Sequence, residues 1–501
     1  MGYAIPGRPF SQPRAGRTGR AEIALRNREL GAVVRSGVSC SPPSVITLLG
    51  GHRPTPPRRG AESPMPSRLA ANALAPSSIH APSYYAASVA HPVAASALDG
   101  AHTCDVCIVG GGFTGCAAAL HLARRGVKVK LLEQSLLGWG ASGRNGGQVH
   151  VGLRRDQYWL EGKLGASDAH KLWDLALAAR THLDALMEAY GIDCDYRPGL
   201  LHADHKARYT RATRRYVAHL QEAYGYTHIR YVDQEEIRAL VATDGYYGAS
   251  FDARGGHLHP LNLVLGIARG AQSHGAQLHE GAEVLKIERT GSAFVITTTQ
   301  AQVHATQVIL ACNGYLRGIS REVEAHVMPI NNFIAVTEPL GAERAAALVQ
   351  HGYAVADSRF VVNYYRTTVD HRLLFGGGEN YSYRFPTDIA AFVRPHLCKV
   401  FPQLSAAHID YAWGGTLAIT PTRMPFIREI EPGFYNASGF SGLGVVLAPY
   451  AGKILADAVA GERQAFDAFA AVPVPRFPGG PALRWPTLVA AMSLYALRDR
   501  L

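Results

Sequence analysis

Cysteine is scarce in this chain: seven in 501 residues, at positions 40, 104, 107, 116, 194, 312 and 398. So sparse and odd a set excludes a secreted scaffold built on disulfides and fits a reducing, cytoplasmic setting. The one Cys-x-x-Cys, Cys104 and Cys107, lies in an apolar run that reads as a strand. Residues three apart on a strand face opposite ways, and no second Cys or His pair stands nearby, so no metal is expected. Charge is also low, at 18% against 47% hydrophobic, and the mean hydropathy is -0.02. Such a balance excludes a chain disordered throughout and equally a membrane bundle. Long apolar runs are missing: the longest uncharged stretch, residues 69–98, is mostly Ala, Ser, Pro and His. It supports neither a membrane span nor the apolar part of a signal peptide. No repeat with a period of 20–50 residues is present.

The net charge of +11 is unevenly placed, since residues 1–64 hold ten Arg and three Glu, leaving only +4 for the rest. A nearly balanced body argues against nucleic acid as a partner. The Arg-rich, Lys-free leader has the composition of a transit-like segment or a basic arm. We read it as an unfolded extension ahead of a natural start at Met65. Residues 1–100 are expected to be a mostly disordered leader in which Tyr84 and Tyr85 are apolar anchors for docking on the body.

Order is expected from Cys104. A short buried strand ends at Val109, a glycine turn covers residues 110–115, an Ala/Leu-rich helix covers 116–125, and a second strand covers 127–133, making a βαβ unit. An amphipathic helix is expected over 167–189, with Ser167 as N-cap and Gly191 as the stop. Further strands are expected at 229–232, 282–289, 294–299, 308–311, 332–337, 360–366, 373–376 and 434–438. Helices are expected at 235–240, 261–274, 389–401 and, beyond the last glycine cluster, up to Gly461. The fold class is α/β: a Rossmann-like cofactor-binding domain (101–160, 250–327, 408–470) with an inserted mixed-sheet substrate domain (161–249, 328–407). A C-terminal tail with a short helix covers 471–501.

Glycine, 52 of 501, is above the usual share and clustered. Gly110-x-Gly112-x-x-Gly115 follows a strand and opens a helix, and Glu133 stands 23 residues after Gly110. In a dinucleotide fold the first glycine permits the turn, the second lets backbone approach a pyrophosphate, and the third packs helix on strand. The acidic residue accepts from ribose hydroxyls, which disfavours NADP and leaves NAD and FAD. Residues 138–148 add five glycines in eleven positions, with Gly140, Ser142, Arg144, Asn145, Gly146, Gly147 and Gln148 as candidates to contact a flavin ring that needs N–H donors. Gly314 marks another close-approach turn. A third cluster, Gly439, Gly442 and Gly444, precedes a helix whose N-terminus would favour the negative charge of a reduced flavin.

With these motifs in place, residues 104–148 resemble the D-amino-acid oxidase-like FAD-dependent oxidoreductases, and the run 140–147 is similar to their gamma-glutamylputrescine oxidase branch. The runs 83–88, 255–263, 364–366, 374–378, 410–413 and 466–469 extend the likeness over roughly Ser83–Leu501. The resemblance implies FAD, a small-molecule amine substrate and O2 as acceptor. The alternatives are an amino-acid or N-methyl amine dehydrogenase that passes electrons to a carrier, and an RNA-modifying flavoprotein.

Three departures from the related sarcosine oxidases bear on chemistry. No Cys stands in 414–421, so FAD should be non-covalent. Val445 and Val446 replace a substrate-binding Lys, and Leu443 stands where many relatives have His. Catalytic residues stay unassigned; His259, Tyr364, Tyr365 and Arg366 are candidates to line the pocket, against the alternative that they serve the turn and the strand packing.

Overall fold

The strand Gly100–Val109 runs through the middle of a parallel sheet, and Val106–Val109 are buried on both faces. In this computed structural model, which describes residues 75–380, 384–480 and 486, its neighbours are Ala301–Leu310 on one side and Val129–Leu132 on the other. Phe434–Ser438 continues the parallel set beyond Ala301–Leu310, and Gln277–His279 continues it beyond Val129–Leu132. Antiparallel additions complete eight strands: Phe426–Glu431 on the edge and the hairpin Val284–Thr290/Ala293–Thr298 paired to Ala301–Leu310. Helices Phe113–Ala123, Pro260–Ser273 and Gly444–Val459 pack together in the accompanying helical layer. A Cβ on Gly452 would lie 2.4 Å from the Thr114 carbonyl oxygen, so two of these helices meet backbone to backbone.

The second sheet has nine strands. Its main path runs Ile409–Ile419, Met328–Thr337, Leu373–Asn380, Tyr364–Thr367, Ala354–Asp357, Arg197–Ala203, Ala249–His257 and Gln148–Val149, with Ile229–Val232 paired to Ala249–His257. All its pairs are antiparallel except Arg197–Ala203 with Ala354–Asp357. Helix Ile389–Val400 covers the face that carries Phe333, Tyr365 and Phe375. An α/β fold with a Rossmann-like sheet and a second, mixed sheet is therefore the architecture.

The structure divides the chain differently from the sequence in three places. Tyr84 and Tyr85, expected as anchors, are buried on the body in the short helix Tyr84–Ala87, so the packed body begins well before residue 101. Residues 250–257 and 409–419, expected in the first domain, are strands of the second sheet. Helix Ala166–Ala189, expected in the second, packs on Gly444–Val459 of the first. Apolar alternation says that a strand has a buried face; it does not say which sheet supplies the cover. The helix Phe113–Ala123 also starts three residues earlier than expected, and Ala166–Ala189 takes Gly165, not Ser167, as its N-cap. The leader 1–64, Met65 and residues 481–485 and 487–501 of the tail lie outside the described residues.

Cys104 and Cys107 correct another expectation. The N–H groups of Asp105 and Val106 both donate to the Lys128 carbonyl, at 2.9 and 3.2 Å, where the pairing with Val129–Leu132 begins. The two thiols nevertheless stand in hydrogen-bonding contact, which lowers the Cys104 pKa and raises that of Cys107. Among the described residues no three His, Cys, Asp or Glu converge as a metal site.

Candidate active site

After Gly100–Val109 the chain moves to Val129–Leu132 on one side, while Ala301–Leu310 lies on the other, so the carboxyl ends of these strands flank a topological switch point where open α/β sheets take ligands. A cleft opens there, lined among others by Gly110, Gly112, Glu133, Ser142, Asn313 and Tyr315. Its floor is bare backbone. Gly110 has φ +111°, and a Cβ there would sit 2.7 Å from the Ala311 carbonyl oxygen. A Cβ on Gly115 would lie 1.8 Å from the Gly110 carbonyl oxygen, so the helix rests directly on the turn. A Cβ on Gly112 would meet Ser142 Oγ at 2.8 Å.

That serine links the first two glycine clusters: Ser142 Oγ accepts from the Phe113 N–H at 2.9 Å, and the Gly138 N–H donates to the Gly111 carbonyl at 2.9 Å. Helix Phe113–Ala123, whose own N-cap is Gly112, thus takes its side-chain cap from the neighbouring loop. At the end of the next strand, Glu133 accepts from the Gly111 N–H at 2.7 Å and the Ser135 N–H at 2.9 Å. Burial pushes its carboxyl pKa up to about 7, partly offset by these hydrogen bonds.

The loop 138–148 is held from several sides. Arg144 is buried, donates from Nε to the Trp139 carbonyl at 2.6 Å and from Nη1 to the Gly414 carbonyl at 3.3 Å, and lies 4.1 Å from the Trp139 ring centroid. Asn145 donates from Nδ2 to the carbonyls of Ala141 and Ser142, and its Oδ1 accepts from the Gly147 N–H at 2.8 Å. Gly147 has φ +74°, and a Cβ there would lie 2.0 Å from the Leu258 carbonyl oxygen. Gln148 donates to the Val355 carbonyl at 2.8 Å, joining the loop to the second sheet. Gly140 lies against the Tyr315 ring and Gly146 against that of Tyr364.

The third cluster closes the same end of the sheet. The Gly439 N–H donates to Asn313 Oδ1 at 3.0 Å, and Gly314 packs against the Leu417 carbonyl. Gly442 faces open space, and Gly444 begins a 16-residue helix without a side-chain cap. Its first N–H groups therefore have neither an intrahelical partner nor a side-chain cap.

The pocket candidates part ways. Tyr364 lies between Gly146 and Gly376, and its hydroxyl donates to Asn332 Oδ1 at 2.5 Å. Tyr365 faces the opposite side of the sheet, fully buried against Phe375 and Phe401, with its hydroxyl donating to Tyr246. His259 caps helix Pro260–Ser273: Nδ1 accepts from the Asn262 N–H at 3.1 Å, so the ring proton sits on Nε2, toward Ser88 Oγ. Burial pushes its pKa down to about 3, which keeps the cap neutral. Arg366 is buried and donates to the carbonyls of Gly146, Leu258 and Thr367 and to the Tyr85 hydroxyl. Asn332 and Tyr315 were missed by sequence reasoning, and neither stands in a local pattern that announces it; Asn313 and Trp413 stood in the noted 313–314 turn and 410–413 run without a role assigned to them.

Comparison with known proteins agrees with this geometry. The model of the family described as DAO, FAD dependent oxidoreductase, matches residues 105–458. The chain is 40% identical over 423 residues to the gamma-glutamylputrescine oxidoreductase of Escherichia coli (strain K12), covering 84% of this chain and 99% of that protein. It is 41% identical over 418 residues to the probable oxidoreductase OrdL of Rhizobium meliloti (strain 1021), covering 83% and 97%. Among solved structures, glycine oxidase from Geobacillus kaustophilus superposes with a TM-score of 0.61 at 24% identity, over 73% of this chain and 97% of that one, which shows the shared fold.

Proposed function

The chain belongs to the DAO family of FAD-dependent oxidoreductases, and from that premise we propose that it oxidises the amine of gamma-glutamylputrescine or a similar polyamine derivative, with O2 as the electron acceptor. For a primary amine the balance is R–CH2–NH2 + O2 + H2O giving R–CHO + NH3 + H2O2. FAD, when bound, supplies the two-electron oxidant for the carbon that bears the nitrogen.

Bare backbone at Gly110 and Gly112, with the amino end of helix Phe113–Ala123, suits the pyrophosphate, and Glu133 suits the ribose hydroxyls. The residues 140–148 and the amino end of Gly444–Val459 suit the ring. The cofactor is held without a covalent bond. Strand Ile409–Ile419 contains no cysteine, and Cys312, which lines the cleft, donates its thiol to the Val109 carbonyl, with burial pushing its pKa up to about 12. A thiol so protonated is a poor nucleophile.

The observation that supports an amine, and not an α-amino acid, is the company of the buried cations. Arg366 directs its guanidinium at three backbone carbonyls and a phenol, and Val445 and Val446 begin the helix where a carboxylate-binding lysine would stand. The Tyr364 hydroxyl points its hydrogen at Asn332 Oδ1, so toward an amine N–H its oxygen acts as an acceptor and not as a donor. An apolar, dehydrated site also favours the neutral amine, the form able to release hydride.

The test is an anaerobic screen of flavin bleaching with putrescine, gamma-glutamyl polyamines and N-methyl amino acids, followed by peroxide assay in air. Fast bleaching by the gamma-glutamyl amines with stoichiometric peroxide is expected. Preferential bleaching by an N-methyl amino acid would overturn the substrate reading, and bleaching without peroxide would overturn O2 as acceptor.

A further inference from the structure

The segment ahead of the dinucleotide strand lies along the site like a strap. The Ser77 N–H donates to Ser135 Oγ at 3.0 Å, and the Ile79 carbonyl accepts from Trp139 Nε1 at 3.0 Å. Farther along, the Ala90 N–H donates to Asn262 Oδ1, the His91 carbonyl accepts from Arg269, and the Ala94 carbonyl accepts from Gln272. The strap thus touches the loop that begins at residue 138 and then follows helix Pro260–Ser273. Between these two ends, Ser83 caps the single turn Tyr84–Ala87, which inserts both tyrosines into the body.

Tyr85 is fully buried, and two side chains that hold the glycine-rich loop converge on it. Its ring meets Trp413 edge to face at 5.3 Å, and Trp413 Nε1 donates to the Arg144 carbonyl at 2.9 Å. Its hydroxyl accepts from Arg366 Nη2 at 3.2 Å, and Arg366 Nε donates to the Gly146 carbonyl at 3.1 Å. Two carbonyls of one loop, two residues apart, are therefore turned toward groups that rest on Tyr85. In a trans peptide the N–H points opposite its carbonyl, so holding the carbonyls of Arg144 and Gly146 also sets the N–H directions of Asn145 and Gly147. The Gly147 N–H is taken up by Asn145 Oδ1, and the Asn145 N–H lies in the loop whose donors suit the edge of the flavin ring.

We infer that Tyr85 is a positioning residue for the flavin: acting through Arg366 and Trp413, it fixes the peptide orientations of residues 144–147. The inference rests on the reading that this loop meets the flavin ring. Tyr84, its neighbour, serves as the internal contrast, because its hydroxyl donates to Asp370 at 2.9 Å and reaches neither holder of the loop. Removing the Tyr85 hydroxyl takes one of two acceptors from Arg366 Nη2 and leaves the ring in place to fill its site.

The experiment uses full-length holoenzyme. FAD release on dilution is followed by flavin fluorescence, flavin geometry by visible circular dichroism, and the fold by thermal unfolding, for Tyr85→Phe, Tyr84→Phe and Gly146→Ala. Tyr85→Phe is expected to release FAD about fivefold faster, the effect of losing one hydrogen bond, and to change the visible dichroism. Tyr84→Phe is expected to match wild type in both. A Cβ on Gly146 would lie 2.4 Å from the Tyr364 ring, so Gly146→Ala reports whether the loop senses the flavin at all. If Gly146→Ala alters release and dichroism while Tyr85→Phe alters neither, or alters only the melting temperature, the role of Tyr85 is overturned. If Gly146→Ala is also silent, the loop does not meet the flavin, and the placement of the ring fails together with the inference. The amine substrate enters none of these measurements.

Discussion

Ser142 Oγ accepts the Phe113 N–H at 2.9 Å across 29 residues of sequence, so a side chain of one glycine-rich loop completes the helix that begins in another. The same hydroxyl stands 2.8 Å from where a Cβ on Gly112 would be. The two loops are consequently one mechanical unit. Ser142→Ala should cost about 1 kcal/mol of apoprotein stability, the usual effect of losing a helix N-cap, and should weaken FAD retention. Denaturant unfolding of the apoprotein and flavin content after gel filtration measure the two; an unchanged midpoint would mean that the cap contributes nothing.

Gly112→Val presses on the same point from the other side. A branched side chain would collide with Ser142 Oγ and occupy the volume assigned to the pyrophosphate. FAD content should fall to a small fraction of wild type, while far-ultraviolet circular dichroism stays that of wild-type apoprotein. Full FAD occupancy in this variant would displace the dinucleotide from the cleft between Val109 and Ala311.

Glu133 makes the apoprotein sensitive to pH. Its folded-state pKa, pushed up to about 7 by burial, lies above the 4.5 of an ordinary glutamate, so the native state holds a proton that the unfolded state has released. That contribution is fully present below pH 4.5 and is lost as the pH rises through 7. Relative to Glu133→Gln, wild-type apoprotein should lose on the order of 1–3 kcal/mol across this window. Parallel melting curves for the two proteins between pH 4.5 and 8 would contradict the burial of a titrating carboxyl.

Acid precipitation should release the flavin as intact FAD, because Cys312, the one thiol among the described residues that line the cleft, is held protonated. Yellow colour that stays with the denatured pellet would reveal a covalent bond.

Deleting residues 1–64 should leave FAD content and amine-dependent peroxide formation unchanged, whereas deletion through Val89 should remove most of the FAD. The difference follows from the contacts of Ser77, Ile79 and Tyr85 with the loop and its holders. Equal activity in the two truncations would show that the strap is dispensable.

What could be read from the residues alone was local. Gly110-x-Gly112-x-x-Gly115 with Glu133 marks a dinucleotide turn because its constraints, a positive φ, a close helix and an acceptor at the next strand end, all fall within one βαβ unit of contiguous chain. The density of glycine in 138–148 likewise announces close approach to backbone, and the small, odd number of cysteines excludes a disulfide framework.

What each side chain holds was decided only by tertiary contacts. Tyr364 and Tyr365 are adjacent and chemically alike, yet strand pleating turns one toward Gly146 and the other into the core with Phe375 and Phe401. Arg366 looks like a substrate cation until its donors are traced to the carbonyls of Gly146 and Leu258, and His259 looks like a proton carrier until its Nδ1 is found capping a helix. Tyr85 sits in a stretch whose composition resembles a linker, but Arg366 lies 281 residues away and closes over it. A motif is legible when the atoms it must satisfy are its own chain neighbours; the partners of Ser142, Arg366 and Tyr85 come from remote segments, and no periodicity in one segment records what another brings to it.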